Sequence, residues 1–367
     1  MTEAAELLTT CKYCQHEFRV PGRLAGKQLN CPSCQRLIQV AAAKSEDKLV
    51  GKEVGNCRLV RRLGAGALGV VYEAEQVSMG RRVAIKMLSS RAAAQPEVVS
   101  RFQREAKLSA AMQHNHVVGV YDCGMDRGVH FLLMEFVDGT TLAGLTEEAE
   151  TGRLDAKTAT GYIRQVAEAL SYAHGKDIIH RDIKPANILV SRSGVAKLAD
   201  LGLAKQLDAD DGAGLTMQGM ALGSPAYMPP EQIRNARDAG RTADIYALGA
   251  TWYQTVSGKL PFDGKNSTEV LTKVLREQPP PLAQLVPDLP ANVRELIERM
   301  MDKDAAKRPQ SADELIQLID GLDKPAAKTH AKAGKAAKPS KAKKGCMGVI
   351  LLAVGIAALA GAACAIL

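Results

Sequence analysis

Acidic residues are absent from one lysine-rich stretch of this 367-residue chain, and this stretch accounts for the net positive charge of the whole chain. The stretch 324–344 holds eight lysines and no Asp or Glu, so its formal charge equals the +8 of the whole chain. The remainder is neutral, which argues against a basic globular face that binds nucleic acid. The same stretch has no large apolar residue and cannot bury a core. Residues 322–345 are therefore expected to form a disordered linker.

Charged residues are also absent from 346–367, which reads CMGVILLAVGIAALAGAACAIL. As a helix, this stretch would span about 33 Å, close to a hydrocarbon core of about 30 Å. Its uninterrupted apolar surface favours a transmembrane helix over the alternative, a buried helix of a globular core. The lysines before it predict a single C-terminal anchor in the cell membrane, in contact with lipid, and a cytoplasmic location for the rest.

Cysteine is scarce, and four of the eight cysteines form two CxxC pairs. Sixteen residues separate Cys11 and Cys14 from Cys31 and Cys34, a spacing that fits a zinc site with four thiolate ligands. Alternating residues predict short strands at 16–20 and 37–40, so residues 1–50 are expected to form a zinc ribbon. Two disulfides are the alternative, which a reducing cytoplasm disfavours. The small positive charge of this region gives little support for nucleic-acid binding.

The run HRDIKPANIL at 180–189 places a carboxylate, a cation and a carboxamide close together in the chain. This set suits the transfer of a phosphoryl group to a hydroxyl. Asp182 would orient the hydroxyl and accept its proton, and Lys184 would steady the transferring phosphoryl. Asn187 would supply an oxygen ligand for Mg²⁺.

Gly64, Gly66 and Gly69 precede a strand-like run at 70–74, and a second such run at 83–86 ends in Lys86. A dinucleotide-binding turn is the alternative, but that turn requires a helix after the glycines. Glycines between two strands form a hairpin whose backbone can lie close over phosphates, because no Cβ intervenes. These two runs and the 180–189 loop resemble segments of the protein kinases, and the resemblance implies that Lys86 holds the α- and β-phosphates of ATP.

A lysine in this position needs an anionic partner. Apolar residues at three- and four-residue spacing predict a helix over 97–112, and Glu105 lies at the edge of its apolar face. Glu105 is the predicted partner of Lys86. The alternative is a solvated surface glutamate, which is the commoner environment for this residue type.

Together these motifs resemble the protein kinases. Asp200-Leu201-Gly202 is similar to their DFG segment, with Leu in place of Phe, and the resemblance implies that Asp200 is a second Mg²⁺ ligand. Lys184 and the residues after it are similar to the serine/threonine branch. The chain as a whole is most similar to bacterial membrane-anchored Ser/Thr kinases of eukaryotic type, whose substrates are proteins.

Two further contacts are implied by the resemblance. Pro229-Pro230-Glu231 stands where the kinases have APE, so Glu231 is expected to form an ion pair with Arg308. Asp244 is expected to accept hydrogen bonds from the backbone of the 180–189 loop.

The resemblance covers residues 56–321 and implies an α+β, two-lobed fold, with an N-lobe at 56–137, a C-lobe at 138–321 and ATP between them. The hinge would be 134–137. The residues implied to contact adenine are Leu63, Val71 and Ala84 above it, Leu189 below it, and the backbone of Glu135 and Val137.

Two alternatives stay open for the function. One is a membrane-tethered pseudokinase that binds partners through its finger, and the other is a zinc-ribbon nucleic-acid binder with an accessory kinase. For regulation, phosphate on Thr216 would pair with Arg181 and order the activation segment, while Ser224 would help position substrate. A homodimer through the kinase domain or the membrane helix is also left open.

Overall fold

The computed structural model describes residues 6–11, 13–21, 24, 27–40, 47–66, 68–200 and 225–322. Thr216, Ser224, the Leu201-Gly202 pair, the linker beyond residue 322 and the predicted membrane span all lie outside these residues. Within the described part of the chain, no helix combines the length and the apolar character that crossing a membrane requires.

Two small antiparallel hairpins build the N-terminal finger. Strand β1 (Glu6–Thr10) pairs with β2 (Glu17–Pro21), and β3 (Gln28–Asn30) pairs with β4 (Leu37–Gln39). The strands predicted at 16–20 and 37–40 are thus confirmed. Strand β1 was not predicted, because its sequence does not alternate clearly between apolar and polar residues.

Each hairpin turns through one CxxC pair, and the two turns have the same backbone pattern. The backbone N–H of the first cysteine of each pair donates to the carbonyl oxygen of the residue five positions later, at 2.9 Å in both cases. Gln15 and Gln35 follow the second cysteine, and they have φ values of 58° and 60°. This repeated turn brings both sulfurs of each pair to the same side of its hairpin.

The N-lobe is a six-stranded antiparallel sheet with one long helix against it. Its strand order is β5-β6-β7-β8-β10-β9. One face of the sheet buries Leu59, Tyr72, Ile85 and other apolar residues, while the other face packs against α2 through Phe102 and Ala106. The elements are β5 (Glu53–Val54), β6 (Cys57–Ala65), β7 (Gly69–Gln76), β8 (Arg81–Leu88), α1 (Ser90–Ala93), α2 (Pro96–Ala110), β9 (Val120–Asp126) and β10 (Val129–Glu135).

Helix α2 confirms the helix predicted at 97–112, within two residues at its C-terminal end. Phe102, Glu105, Ala106 and Ser109 are its buried residues. Glu105 therefore faces the protein and not the solvent, which excludes the surface-glutamate alternative.

Helices make up most of the C-lobe, around α6, which is buried on nearly every side. A three-stranded sheet of order β11-β12-β13 lies beneath the hinge, and the 180–189 loop connects α4 to β12. The elements are β11 (Gly139–Thr141), α3 (Leu142–Glu148), α4 (Ala156–His174), β12 (Ile188–Ser191), β13 (Ala196–Leu198), α5 (Pro230–Arg234), α6 (Arg241–Ser257), α7 (Ser267–Arg276), α8 (Leu282–Leu285), α9 (Ala291–Met300) and α10 (Ala312–Asp320).

Candidate active site

One buried carboxylate fixes the backbone that leads into the 180–189 loop. Asp244 of α6 accepts the N–H groups of His180 and Arg181, each at 2.8 Å. It also lies 2.8 Å from Nε2 of His174, at the end of α4. The predicted hydrogen bonds from Asp244 to the loop backbone are confirmed. Because Asp244 is fully buried in α6, it fixes the backbone of the two residues that directly precede Asp182.

His180 links two parts of the site and was not identified from the sequence. Its Nε2 lies 3.1 Å from the carbonyl oxygen of Ala199, which can only accept, so Nε2 carries the proton. Its Nδ1 accepts the N–H of Asp182 at 3.3 Å. This neutral tautomer agrees with the direction of its pKa, which burial lowers below the usual value. His180 thereby connects the backbone of Asp182 with the residue before Asp200.

Asp182 lies at the centre of the polar groups of the loop. Its Oδ2 receives hydrogen bonds from Nζ of Lys184 and Nδ2 of Asn187, both at 3.0 Å. Asn187 Nδ2 also donates to the backbone oxygen of Asp182 at 2.8 Å. Because the amide nitrogen of Asn187 faces Asp182, its amide oxygen points to the other side, where it can serve as a metal ligand.

Lys86 lies between two carboxylates. Its Nζ is 2.7 Å from Oδ1 of Asp200 and 4.0 Å from Oε1 of Glu105. Burial lowers the pKa of Lys86, but the charges of Asp200 and Glu105 outweigh that effect and hold the pKa above its usual value. Lys86 and Glu105 are therefore brought together, although Asp200 is the closer partner. Among the described residues, the hydrogen bond from Lys86 uses only one of the two carboxylate oxygens of Asp200.

Glu105 is a perturbed carboxyl group. Burial raises its pKa to about 7, and the nearby charge of Lys86 only partly offsets that rise. The unfolded chain has a pKa near the ordinary value of 4.5. Between about pH 4.5 and pH 7 the native state holds a proton that the unfolded state has released. This group therefore lowers the stability of the fold as the pH rises through that window.

We expect the free energy of unfolding of Glu105→Gln to increase relative to that of the parent chain as the pH increases. At pH 5 both side chains are neutral in the native state, whereas at pH 8 only the parent must bury a carboxylate. Urea unfolding at pH 5, 6, 7 and 8 without nucleotide measures the difference. Glu97→Gln, on an exposed glutamate of the same helix, is the control for a general loss of negative charge. A difference between Glu105→Gln and parent that is the same at every pH would contradict the assignment.

The three glycines of the β6–β7 turn have different roles. A Cβ on Gly69 would lie 1.9 Å from the carbonyl oxygen of Met87, so packing alone requires glycine there. A Cβ on Gly64 or Gly66 would meet no described atom within 4 Å. These two glycines are not needed for packing, and they leave open space above the cleft. The turn closes through a hydrogen bond of 2.8 Å from Gly66 N–H to the Gly69 carbonyl.

A cleft of about 410 Å³ lies between the lobes, bounded by the glycine turn, the hinge and β12. It brings together most of the residues predicted to bind ATP, namely Leu63, Gly64, Val71, Ala84, Glu135, Val137 and Leu189, and the two predicted Mg²⁺ ligands, Asn187 and Asp200. Gly66, Gly69 and Lys86 do not line this cavity. It is also lined by residues that sequence reasoning did not single out, namely Arg61, Thr140, Thr141, Ala186 and Ala199. The sequence pattern around these residues does not distinguish them from their neighbours.

The hinge residues differ in what their backbone can offer. The N–H of Glu135 donates to the carbonyl of Gly119 at 2.8 Å, and its carboxylate pairs with Lys197 at 3.0 Å. Glu135 can therefore offer only its carbonyl oxygen to a nucleotide. Among the described residues, no backbone hydrogen bond involves the N–H or carbonyl of Val137, which leaves both groups available to an adenine ring.

A buried ion pair supports the C-lobe. Arg308 is 1% exposed and donates two hydrogen bonds to Glu231, at 2.6 Å from Nη1 and 2.9 Å from Nη2. It also donates to the backbone oxygens of Asp302 and Thr242. The predicted pair is confirmed. It holds the 229–231 segment against the helical core.

We expect Glu231→Gln to destabilise the C-lobe by about 3 kcal/mol, because it leaves a buried guanidinium without its counter-charge. The melting temperature should fall by roughly 6 to 12 °C. Asp177→Asn is the matched control, since it removes a surface carboxylate that pairs with Arg241 at 2.9 Å. Exposed pairs contribute little, so the control should melt within about 2 °C of the parent. Equal melting temperatures for the two variants would contradict this account.

Arg181 is the residue predicted to receive the Thr216 phosphate. Its Nη2 donates to the carbonyl of Ala239 at 3.2 Å, and its φ is 63°. The backbone of the C-lobe thus binds the guanidinium of Arg181, and the predicted pairing with a Thr216 phosphate stays a prediction because Thr216 lies outside the described residues.

The four finger cysteines are brought together, and among the described residues they form a candidate metal centre. All four sulfurs lie within 4.8 Å of one another. Cys11 Sγ lies 3.6 Å from Cys34 Sγ, and Cys14 Sγ lies 3.7 Å from Cys31 Sγ. A tetrahedral Zn²⁺ with Zn–S bonds of about 2.3 Å requires sulfur separations of about 3.8 Å, so the set fits zinc. A disulfide needs about 2.05 Å, and all four cysteines are free thiols.

The thiols of this cluster perturb one another. Burial opposes ionisation of Cys11, but the N–H groups of Tyr13 and Cys14 outweigh it and lower its pKa to about 6. The N–H of Arg36 favours ionisation of Cys34, but burial and the neighbouring thiols raise its pKa to about 11. Four thiolates this close repel one another, so a cation must be present for all of them to ionise.

Known proteins show the same arrangement over most of the chain. Residues 57–318 match the protein kinase domain family. Serine/threonine-protein kinase PknA of Mycobacterium tuberculosis is 39% identical over 270 residues, which cover 72% of this chain and 61% of PknA. PrkC of Bacillus subtilis is 34% identical over 73% of this chain and 40% of its own length. This chain thus spans less than two thirds of either relative.

Solved structures agree with these relatives. The kinase domain of PknI from Mycobacterium tuberculosis covers 74% of this chain and 98% of its own, with a TM-score of 0.59 and 28% identity. Residues 57–318, which match the family, include the glycine turn, Lys86, the 180–189 loop and Asp200. The chain therefore belongs to the protein kinase family.

Proposed function

We propose that the chain is an ATP- and Mg²⁺-dependent kinase that phosphorylates serine and threonine in proteins. The observation that carries this proposal is the convergence of two groups on one carboxylate oxygen, Oδ2 of Asp182. Nζ of Lys184 and Nδ2 of Asn187 both donate to this oxygen, and Asn187 also donates to the backbone oxygen of Asp182. Lys86 and Asp200 lie in contact at 2.7 Å in the same site. No group that phosphate transfer needs is missing from this arrangement.

Asp182 would accept a hydrogen bond from the substrate hydroxyl, orient it toward the γ-phosphorus and take its proton as the new P–O bond forms. Lys184, 3.0 Å from Asp182, would place its charge beside the transferring phosphoryl. Asn187 and Asp200 would hold Mg²⁺, which when bound neutralises charge on the phosphates. Lys86 would leave Asp200 to bind the α- and β-phosphates, with Glu105 retained as its partner. ADP is then the leaving group.

Phosphate transfer from γ-labelled ATP to a generic basic protein, measured with and without Mg²⁺, tests the proposal. We expect label on the protein only when Mg²⁺ is present. A chain that binds ATP but transfers no label under any condition would instead support the pseudokinase scaffold. Salt-dependent DNA binding by the full chain, without protein labelling, would support the nucleic-acid alternative.

The finer parts of the proposal rest on other observations. The sulfur separations support a structural Zn²⁺ at Cys11, Cys14, Cys31 and Cys34. The uncharged sequence of 346–367 supports a C-terminal membrane anchor with the catalytic domain in the cytoplasm. Thr216, a hydroxyl residue in a Gly- and Asp-rich segment, is proposed as a site of autophosphorylation.

A further inference from the structure

The segment before the kinase match is part of the N-lobe sheet. The N–H of Gly51 donates to the Leu59 carbonyl at 2.8 Å, and the N–H of Leu59 donates to the Lys52 carbonyl at 2.9 Å. Strand β5 then pairs with β6, at Glu53 with Arg58 and Val54 with Cys57. The family match begins only at residue 57. The segment 47–54 thus extends the N-lobe sheet through residues 51–54, with 47–50 forming the turn before them, and the expected finger boundary at residue 50 lies inside this extension.

Asp47, at the start of this extension, is bound on both of its carboxylate oxygens. Its Oδ2 accepts the hydroxyl of Tyr72 at 2.6 Å, and its Oδ1 accepts the N–H of Leu49 at 3.0 Å. Its carbonyl accepts the N–H of Val50 at 2.9 Å, which closes a turn. Burial, together with the hydrogen bond to Asp47, raises the pKa of Tyr72 to about 12. Tyr72 is therefore a permanent donor near neutral pH.

Tyr72 lies directly behind the nucleotide cleft. Its ring is 2% exposed and packs in the apolar core on the face of β7 opposite the cleft. The preceding residue, Val71, lines the cleft and is paired with Gly64 on β6 and Lys86 on β8. Successive residues of a strand point to opposite faces. A bond that holds Tyr72 on one face therefore fixes the position of Val71 on the other.

We propose that Asp47 is a positioning residue for ATP: by binding Tyr72, it holds β7 so that Val71 and the glycine turn lie in place over the nucleotide. The inference rests on the proposed kinase function. It also assigns residues 47–54, which join the finger to the family domain, to the nucleotide-binding structure. Asp47 would touch neither ATP nor substrate, so its effect on the cleft would pass through Tyr72, while its bond to Leu49 belongs to the turn before β5.

The test compares Asp47→Ala, Asp47→Asn, Tyr72→Phe and the double variant Asp47→Ala/Tyr72→Phe in the full chain. We expect Asp47→Ala and Tyr72→Phe each to raise KM for ATP by about threefold to tenfold, with kcat within about twofold of the parent. The double variant should be no worse than Asp47→Ala, because Asp47→Ala already removes the bond that Tyr72→Phe removes. Asn keeps an oxygen acceptor for Tyr72, so Asp47→Asn should recover most of the affinity.

Glu53→Gln is the matched control, because Glu53 lies in the same segment but pairs only with the exposed Arg58 at 3.5 Å. Its KM for ATP should equal that of the parent. Hydrogen exchange should show faster opening of residues 69–76 in Asp47→Ala and Tyr72→Phe, and unchanged opening in Glu53→Gln.

If Asp47 has only a structural role, Asp47→Ala will have a lower melting temperature but a KM for ATP within twofold of the parent. That result would overturn the inference. Additive effects in the double variant would overturn it as well. A parent chain that binds ATP and transfers phosphate, with variants indistinguishable from it, would overturn the inference and leave the kinase function standing. A folded parent that binds no ATP would overturn both.

Discussion

Replacing Asp182 with Asn should lower kcat for phosphate transfer by about three orders of magnitude, the size expected for loss of a positioned base. Asn has nearly the same shape, and it can still accept a hydrogen bond from Lys184. It cannot take the proton of the substrate hydroxyl. Because Asp182 does not hold the nucleotide, KM for ATP should change by less than about threefold. Steady-state transfer to a protein substrate measures both constants.

The control for this variant is Asp177→Asn, which changes an exposed aspartate five residues earlier and far from the polar groups of the loop. It should keep full activity. Circular dichroism and the melting temperature should show both variants folded. A folded Asp182→Asn chain with turnover near that of the parent would contradict the assignment of Asp182 as the base.

Removing zinc should unfold the finger completely and leave the kinase domain folded. The apolar core of the finger is very small: among the described residues its buried cluster consists of Cys11, Cys31 and Ile38, and Val20 and Val40 are the other buried apolar residues of 1–50. Structural zinc supplies about 10–16 kcal/mol of folding free energy in small domains of this kind, so the finger should not stand without it. Metal analysis should find one Zn²⁺ per chain before chelation.

The chain has a single tryptophan, which allows the kinase domain to be followed separately from the finger in this experiment. Trp252 is fully buried in α6 of the C-lobe, so its fluorescence reports on the kinase domain alone. After chelation, alkylation of the finger cysteines should become rapid, while the emission of Trp252 stays unchanged. Cys14→Ser should lose zinc, and Cys123→Ser, a half-buried cysteine of β9, should keep it. Zinc that survives Cys14→Ser, or a purified chain that contains none, would contradict the site.

Groups of side chains that come from one short stretch of sequence were the easiest to predict. Asp182, Lys184 and Asn187 share one loop, and each CxxC pair shares one turn, so short-range patterns were enough to predict that their side chains lie together. Lys86, Glu105 and Asp200 are far apart in the chain. Their meeting could be inferred only from the resemblance to a known family, and the helical pattern around Glu105 agreed with it.

Contacts that depend on tertiary packing were not predictable. His180 connects Asp182 to the backbone near Asp200 only because the loop folds over β13, and nothing in the sequence around it shows that geometry. The partner of Tyr72 lies in a segment that seemed to belong to the finger, because the pattern of apolar residues around Asp47 is too short to indicate a strand.

Identifying the amino acid that receives the γ-phosphate is the most direct test of the proposed kinase function. The full chain is incubated with Mg²⁺, γ-labelled ATP and a protein substrate, the ADP formed is counted, and the protein is hydrolysed to identify its labelled amino acids. The account predicts phosphoserine and phosphothreonine in amounts equal to the ADP formed, and a near-complete loss of both products in Asp182→Asn. ADP formed without any labelled amino acid, or label on tyrosine alone, would contradict it.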